Sequence, residues 1–208
     1  MTESGVHDAA VRLPRLLTVL YVLLVGYACL YPLDPWQASG LPPLDYLWEP
    51  WPKYFRTADL VLNVLGYVPF GFLFATVVRR QLRGMACFVL TVAVAATLSF
   101  AIETTQNYLP SRVASNVDLG LNVAGGAIGA VLGCLWGHNL FGPQAWPVRW
   151  RARHIIPGHS GDLGLLLVAL WLLAQLMPEE LLFGGGDVRQ LLHIATPLPF
   201  DSISSCCR

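Results

Sequence analysis

Asp118–Gly137 reads DLGLNVAGGAIGAVLGCLWG. It holds a single charge, Asp118, and glycines at 125, 129, 133 and 137, every fourth residue. A helix crossing a bilayer needs roughly 17–25 apolar residues, and this stretch supplies them. Residues four apart share a helix face, and small residues there let a second helix backbone come close. The stretch therefore reads as a transmembrane helix with one face packed on a neighbour. Asn122, on the glycine stripe, is expected to face protein.

The rest of the chain agrees. Of 208 residues, 55% are hydrophobic and 12% charged, against about 25% charged in a soluble domain; the mean hydropathy is +0.54. Five windows are long and apolar enough to span, at Leu13–Pro32, Leu60–Val78, Met85–Ile102, Leu119–Leu140 and Leu163–Met177, the last being the shortest. The expected fold is an all-α polytopic membrane helical bundle of four core spans plus a fifth. Arg12 and Arg15 before an apolar run imitate a signal peptide, but no Ala-x-Ala site follows, so the run reads as a retained span. Net charge is zero, which argues against a nucleic-acid partner.

Charge in the short loops sets orientation. With the N-terminus inside, eight arginines (12, 15, 79, 80, 83, 149, 151 and 153) are cytoplasmic and five cations lie outside. The chain then divides into a transmembrane core (1–140), a basic cytoplasmic loop (141–162) and a fifth span with a short tail (163–208). The first outer loop, rich in proline and carrying Trp36, Trp48 and Trp51, suits either an aromatic belt or a lid. The inner loop, with Trp146, Trp150 and three arginines, suits an interfacial segment drawn to anionic lipid. Residues 184–208 fit a native tail as well as a truncated element. Three cysteines fall within spans as small packing residues, and Cys206 and Cys207 are adjacent, a spacing that makes neither a metal site nor an easy disulfide.

One constellation stands out. Asp59 and Asn63 open the second span, Glu103 and Gln106 close the third, and Asp118 and Asn122 open the fourth, with Arg112 in the connecting loop. Alternating topology brings all seven to the same membrane level. A carboxylate facing lipid costs at least ~2.5 kcal/mol at the bilayer centre, so these groups should face protein or water. Arg112 can pair with Glu103 or Asp118, or hold a ligand's anionic group in its planar fork. Structural readings stand beside these: Asp59 and Asp118 as helix caps, Asn63 and Asn122 as interhelical bonds. Pro69, flanked by Gly66 and Gly71, predicts a kink.

The motifs NVLGYVPFGFLF, SFAIETTQ, an Arg and NVDLGLNVAGGAIGAVLG, in that order, resemble the VanZ-like membrane proteins. Asn63, Pro69, Phe70, Gly71, Glu103, Gln106, Arg112, Asp118, Asn122 and Gly125 carry the likeness, which covers about residues 16–140. The resemblance implies a small bacterial inner-membrane bundle. It also implies a link to the cell envelope and, through the founding member, to resistance to the antibiotic teicoplanin.

The functional expectation is recognition of an amphiphilic envelope component, such as a lipid-linked glycan, a lipid or a lipoglycopeptide, at an outer-leaflet site. Arg112 would take an anionic group, Glu103 and Asp118 would accept from hydroxyls or amines, and Asn63, Gln106 and Asn122 would orient the ligand. The alternatives are a membrane-embedded enzyme using Glu103 as acid or base, a transporter, and a scaffold. No metal or cofactor is expected; expected partners are the bilayer, an envelope polymer and other membrane proteins.

Overall fold

The computed structural model describes residues 3–37, 40, 42–51, 57–156 and 159–175. These form helices α1 (Glu3–Leu30), α2 (Thr57–Val78), α3 (Met85–Gln106), α4 (Asn116–Phe141), α5 (Trp146–His154) and α6 (His159–Gln175), with a short 3-10 turn at Asp45–Trp48. Residues 1–167 make one compact unit; what is described of the second, 168–208, is the end of α6.

Four helices are long and apolar enough to cross a membrane: Ala10–Leu30 within α1, and α2, α3 and α4. Only 11–33% of the residues in these apolar stretches are buried against protein. The remaining apolar side chains, such as Leu62, Leu65, Val89 and Leu135, point outward, where hydrocarbon must cover them. The protein is thus a multi-pass membrane bundle. The fifth window lies partly outside the described residues, since α6 is described only to Gln175. α2 runs unbroken through Pro69.

The glycine ladder identifies its partner. A Cβ on Gly125 would meet the Val64 carbonyl, on Gly129 that of Val68, on Gly133 that of Phe72, and on Gly137 the Thr76 side chain. Each position meets the residue 61 places earlier. A constant offset means that α4 runs parallel to α2, turn against turn. Gly71 answers from α2, abutting Gly126 and Ala130. Backbones this close gain dispersion and Cα–H···O contacts that no side chain would permit. Gly126 also faces Ala95, so α4 sits between α2 and α3.

α1 joins through polar contacts. Tyr21 donates to the Gly66 carbonyl at 2.8 Å, and Val25 packs with Tyr67, Phe70, Ala95 and Ile102. Beyond α4, the basic segment folds into α5. Its Trp146 and Trp150 are exposed, as an interfacial segment requires. Arg151 instead turns inward, pairing with Asp162, which also binds Arg12 at 3.2 Å.

The α3–α4 packing makes a checkable prediction. Cys87 and Cys134 bring their sulfurs to 3.4 Å, so mild oxidation with copper phenanthroline should link them within one chain. Peptide mapping should find the 87–134 crosslink and leave Cys29 out of it. A link from Cys29 to either residue would refute this register.

Candidate functional site

The start of α2, the end of α3 and the start of α4 lie at one end of the bundle, as the sequence predicts. We call it the acidic end. Ser115 caps α4: its hydroxyl accepts from the Val117 and Asp118 backbone N–H groups at 3.2 and 3.3 Å. The expectation that Asp118 is the cap is therefore corrected. The signal was legible, because Ser115-Asn116-Val117-Asp118 has the spacing of a capping box.

In a capping box the acid three residues on would take the N–H of the cap residue. Here that N–H goes to Glu103, whose Oε2 accepts it at 3.0 Å from the end of α3. Asp118 is released from its local role and lies beside Asn63 of α2, with Asp59 near enough to act on its charge. Glu103 is 3% exposed, Asn63 and Asp118 are half-buried, and Asp59 is exposed. One interaction thus ties α3 to the start of α4, and a second contact joins α4 to α2.

A deeper layer lies one turn into the membrane. Asn122 donates to the Ser99 hydroxyl at 2.9 Å, and both are buried. The Tyr67 hydroxyl lies beside Ser99 but is buried outside hydrogen-bonding geometry, without a partner among the described residues. Ser99 and Tyr67 were missed in the sequence. Each sits four residues from a recognised site residue, Glu103 and Asn63, so the same helical spacing pointed to them.

Gln106 and Arg112 do something else. Gln106 Nε2 donates to the Cys29 carbonyl at 3.0 Å. Arg112 donates from Nε to the Tyr31 carbonyl at 2.9 Å and from Nη2 to that of Ala28 at 3.2 Å. The last carbonyls of a helix lack intrahelical donors and carry partial negative charge, and these two side chains satisfy them at the end of α1. The expected pairing of Arg112 with Glu103 or Asp118 is not what forms: among the described residues, ion pairs are made by Arg12 and Arg151 with Asp162.

The first loop covers this end. Tyr46 is buried with its hydroxyl 3.2 Å from that of Thr104. Asn107 donates to the Pro43 carbonyl at 2.8 Å, and Asn116 to that of Glu49 at 2.8 Å. Trp36, Trp48 and Trp51 remain exposed, so the loop is pinned to α3 and α4 with these aromatics turned outward. Beneath it is a cavity of about 400 Å³ lined by Asp45, Tyr46, Glu49, Asn107, Arg112 and Ala114, among others. Ala114 immediately precedes the Ser115 that Glu103 holds.

In the comparisons with known proteins, a family model described as VanZ/LLP1 matches residues 18–137. No curated protein and no solved structure matches the chain.

Proposed function

The chain belongs to the VanZ/LLP1 family, and from that premise we propose that it recognises an amphiphilic component of the bacterial cell envelope at the acidic end of its bundle. Its place would be the inner membrane with the N-terminus in the cytoplasm, the orientation favoured by the arginines. The acidic end then meets the outer leaflet.

The observation that carries this reading is the convergence of Asp59, Glu103 and Asp118 from three helices, none of them in an ion pair among the described residues. Carboxylates at a membrane interface gain most from donors that bring little water. Hydroxyls and amines on an amphiphile supply them while its tail stays in hydrocarbon, so a lipid-linked glycan or a lipoglycopeptide fits. Glu103, Asp118 and Asn63 are the contact residues of this reading. Asn122 supports them from below, while Gln106 and Arg112 hold α1 in place, Arg112 also presenting a charge to the cavity under the first loop. The scaffold reading draws on those same tethers, and the experiment below separates the two.

Purified protein in nanodiscs should report binding of teicoplanin or of an undecaprenyl-diphosphate disaccharide through the fluorescence of the loop tryptophans. Asp118→Asn keeps the shape but removes the charge. It should weaken binding of one probe about tenfold while thermal unfolding stays within about 2 °C of the unmodified protein. Equal binding of both probes by the two proteins would leave the scaffold reading.

A further inference from the structure

The opposite end of the bundle holds a second cavity, of about 700 Å³, between the end of α2, the α2–α3 loop and the end of α4. Arg79, Arg80, Arg83 and His138 line it, with Leu135 and Phe141 as apolar wall. Among the described residues, no acidic one lines it. We propose that this cavity is a binding site for a phosphate group, carried by an anionic lipid headgroup in the adjoining leaflet or by a free phosphorylated solute.

Four observations support it. First, Arg79 Nη1 is buried without a hydrogen-bond partner among the described residues; a buried guanidinium N–H left unpaired carries a desolvation penalty, which a bound anion would remove. Second, Arg80 is only partly engaged, donating to the Ala10 carbonyl. Partial burial, and after it the neighbouring charge of Arg15, hold its pKa below the ordinary arginine value. Third, α3 begins at this cavity: Gly84 lines it and precedes Met85, and no side chain caps the helix there. A 22-residue helix presents free N–H groups and partial positive charge at that point. Fourth, Leu135 lines the cavity yet is 60% exposed, on the surface of α4 that faces hydrocarbon. The cavity thus combines cationic donors with an apolar side opening towards acyl chains, the arrangement of basic pockets between membrane helices that take phosphorylated headgroups. Arginine forks suit phosphate geometry.

The test uses the full chain, purified free of lipid in neutral detergent, with three probes: phosphatidylglycerol vesicles, phosphatidylcholine vesicles and inorganic phosphate. Phosphatidylglycerol should raise the unfolding temperature and persist as a one-to-one adduct in native mass spectrometry, and phosphatidylcholine should do neither. Arg79→Gln should weaken the phosphatidylglycerol response about tenfold. Arg83→Gln, at an exposed position where misfolding is not expected, should weaken it in the same direction. Arg153→Gln, exposed on the interfacial α5, should weaken it less than Arg83→Gln. Protection by inorganic phosphate matching that of the lipid, and lost in Arg83→Gln, supports the site with a free phosphate as its ligand. Equal responses to the two lipids, or equal losses in Arg83→Gln and Arg153→Gln, overturn the proposal.

Discussion

Gly129→Val is expected to destabilise the bundle, lowering Tm by about 10 °C. A Cβ at that position would strike the Val68 carbonyl oxygen, with the Phe72 nitrogen at 2.8 Å and the Gly71 Cα at 2.9 Å. All three are backbone atoms of α2, so no rotamer change can make room; the helices must separate. Separation also opens the contacts at Gly125, Gly133 and Gly137, because the ladder is continuous. Overpacking of ordinary cores costs 1–3 kcal/mol, and backbone against backbone belongs at or above the upper figure, about 3 kcal/mol. For a chain of this size that lowers Tm by about 10 °C. The control lies on the same helix. Gly120 has no atom within 4 Å of its added Cβ, so Gly120→Ala should be neutral or slightly stabilising through helix propensity. Thermal unfolding and size-exclusion profiles in detergent check both. A Gly129→Val protein as stable as the Gly120→Ala protein would refute the parallel α2–α4 contact.

The second large effect separates structure from recognition at one residue. Glu103→Ala leaves the Ser115 N–H without its acceptor at the start of α4, at a cost of about 1–3 kcal/mol, and opens space where the carboxylate was. Stability and ligand binding should both fall. Glu103→Gln still offers a carbonyl oxygen to Ser115, so the fold should survive with Tm nearly unchanged. It has exchanged a carboxylate oxygen for an amide donor, however, and a ligand hydroxyl or amine needs the acceptor. Binding of the teicoplanin or disaccharide probe should therefore weaken at least tenfold in Glu103→Gln. If Glu103→Gln binds like the unmodified protein while Glu103→Ala unfolds, Glu103 is an acceptor for the α4 start and no more.

The candidate site was legible to different depths. Helix direction alone brought Asp59, Asn63, Glu103, Asp118 and Asn122 to one end, because alternate spans must return to the same interface. The partners were less accessible. Arg112 reads as a cation among carboxylates, yet it binds the Tyr31 and Ala28 carbonyls, since a helix end offers acceptors that leave no trace in side-chain spelling. Ser115 carried a readable capping signal, and Ser99 and Tyr67 followed from the spacing of residues already singled out.

The sequence by itself determined that the protein is a membrane bundle, that the four core spans lie where they do, and that the glycine face of α4 must be covered. These follow from hydrophobic length and helical period, which are properties of each segment alone. Only the tertiary structure decided that α2 covers that face, that Glu103 takes the Ser115 N–H and so frees Asp118 for Asn63, and that Gln106 and Arg112 fasten α1. The reason is that a polar group's choice among several donors and acceptors is made between segments, by which of them packing brings within 3 Å or so.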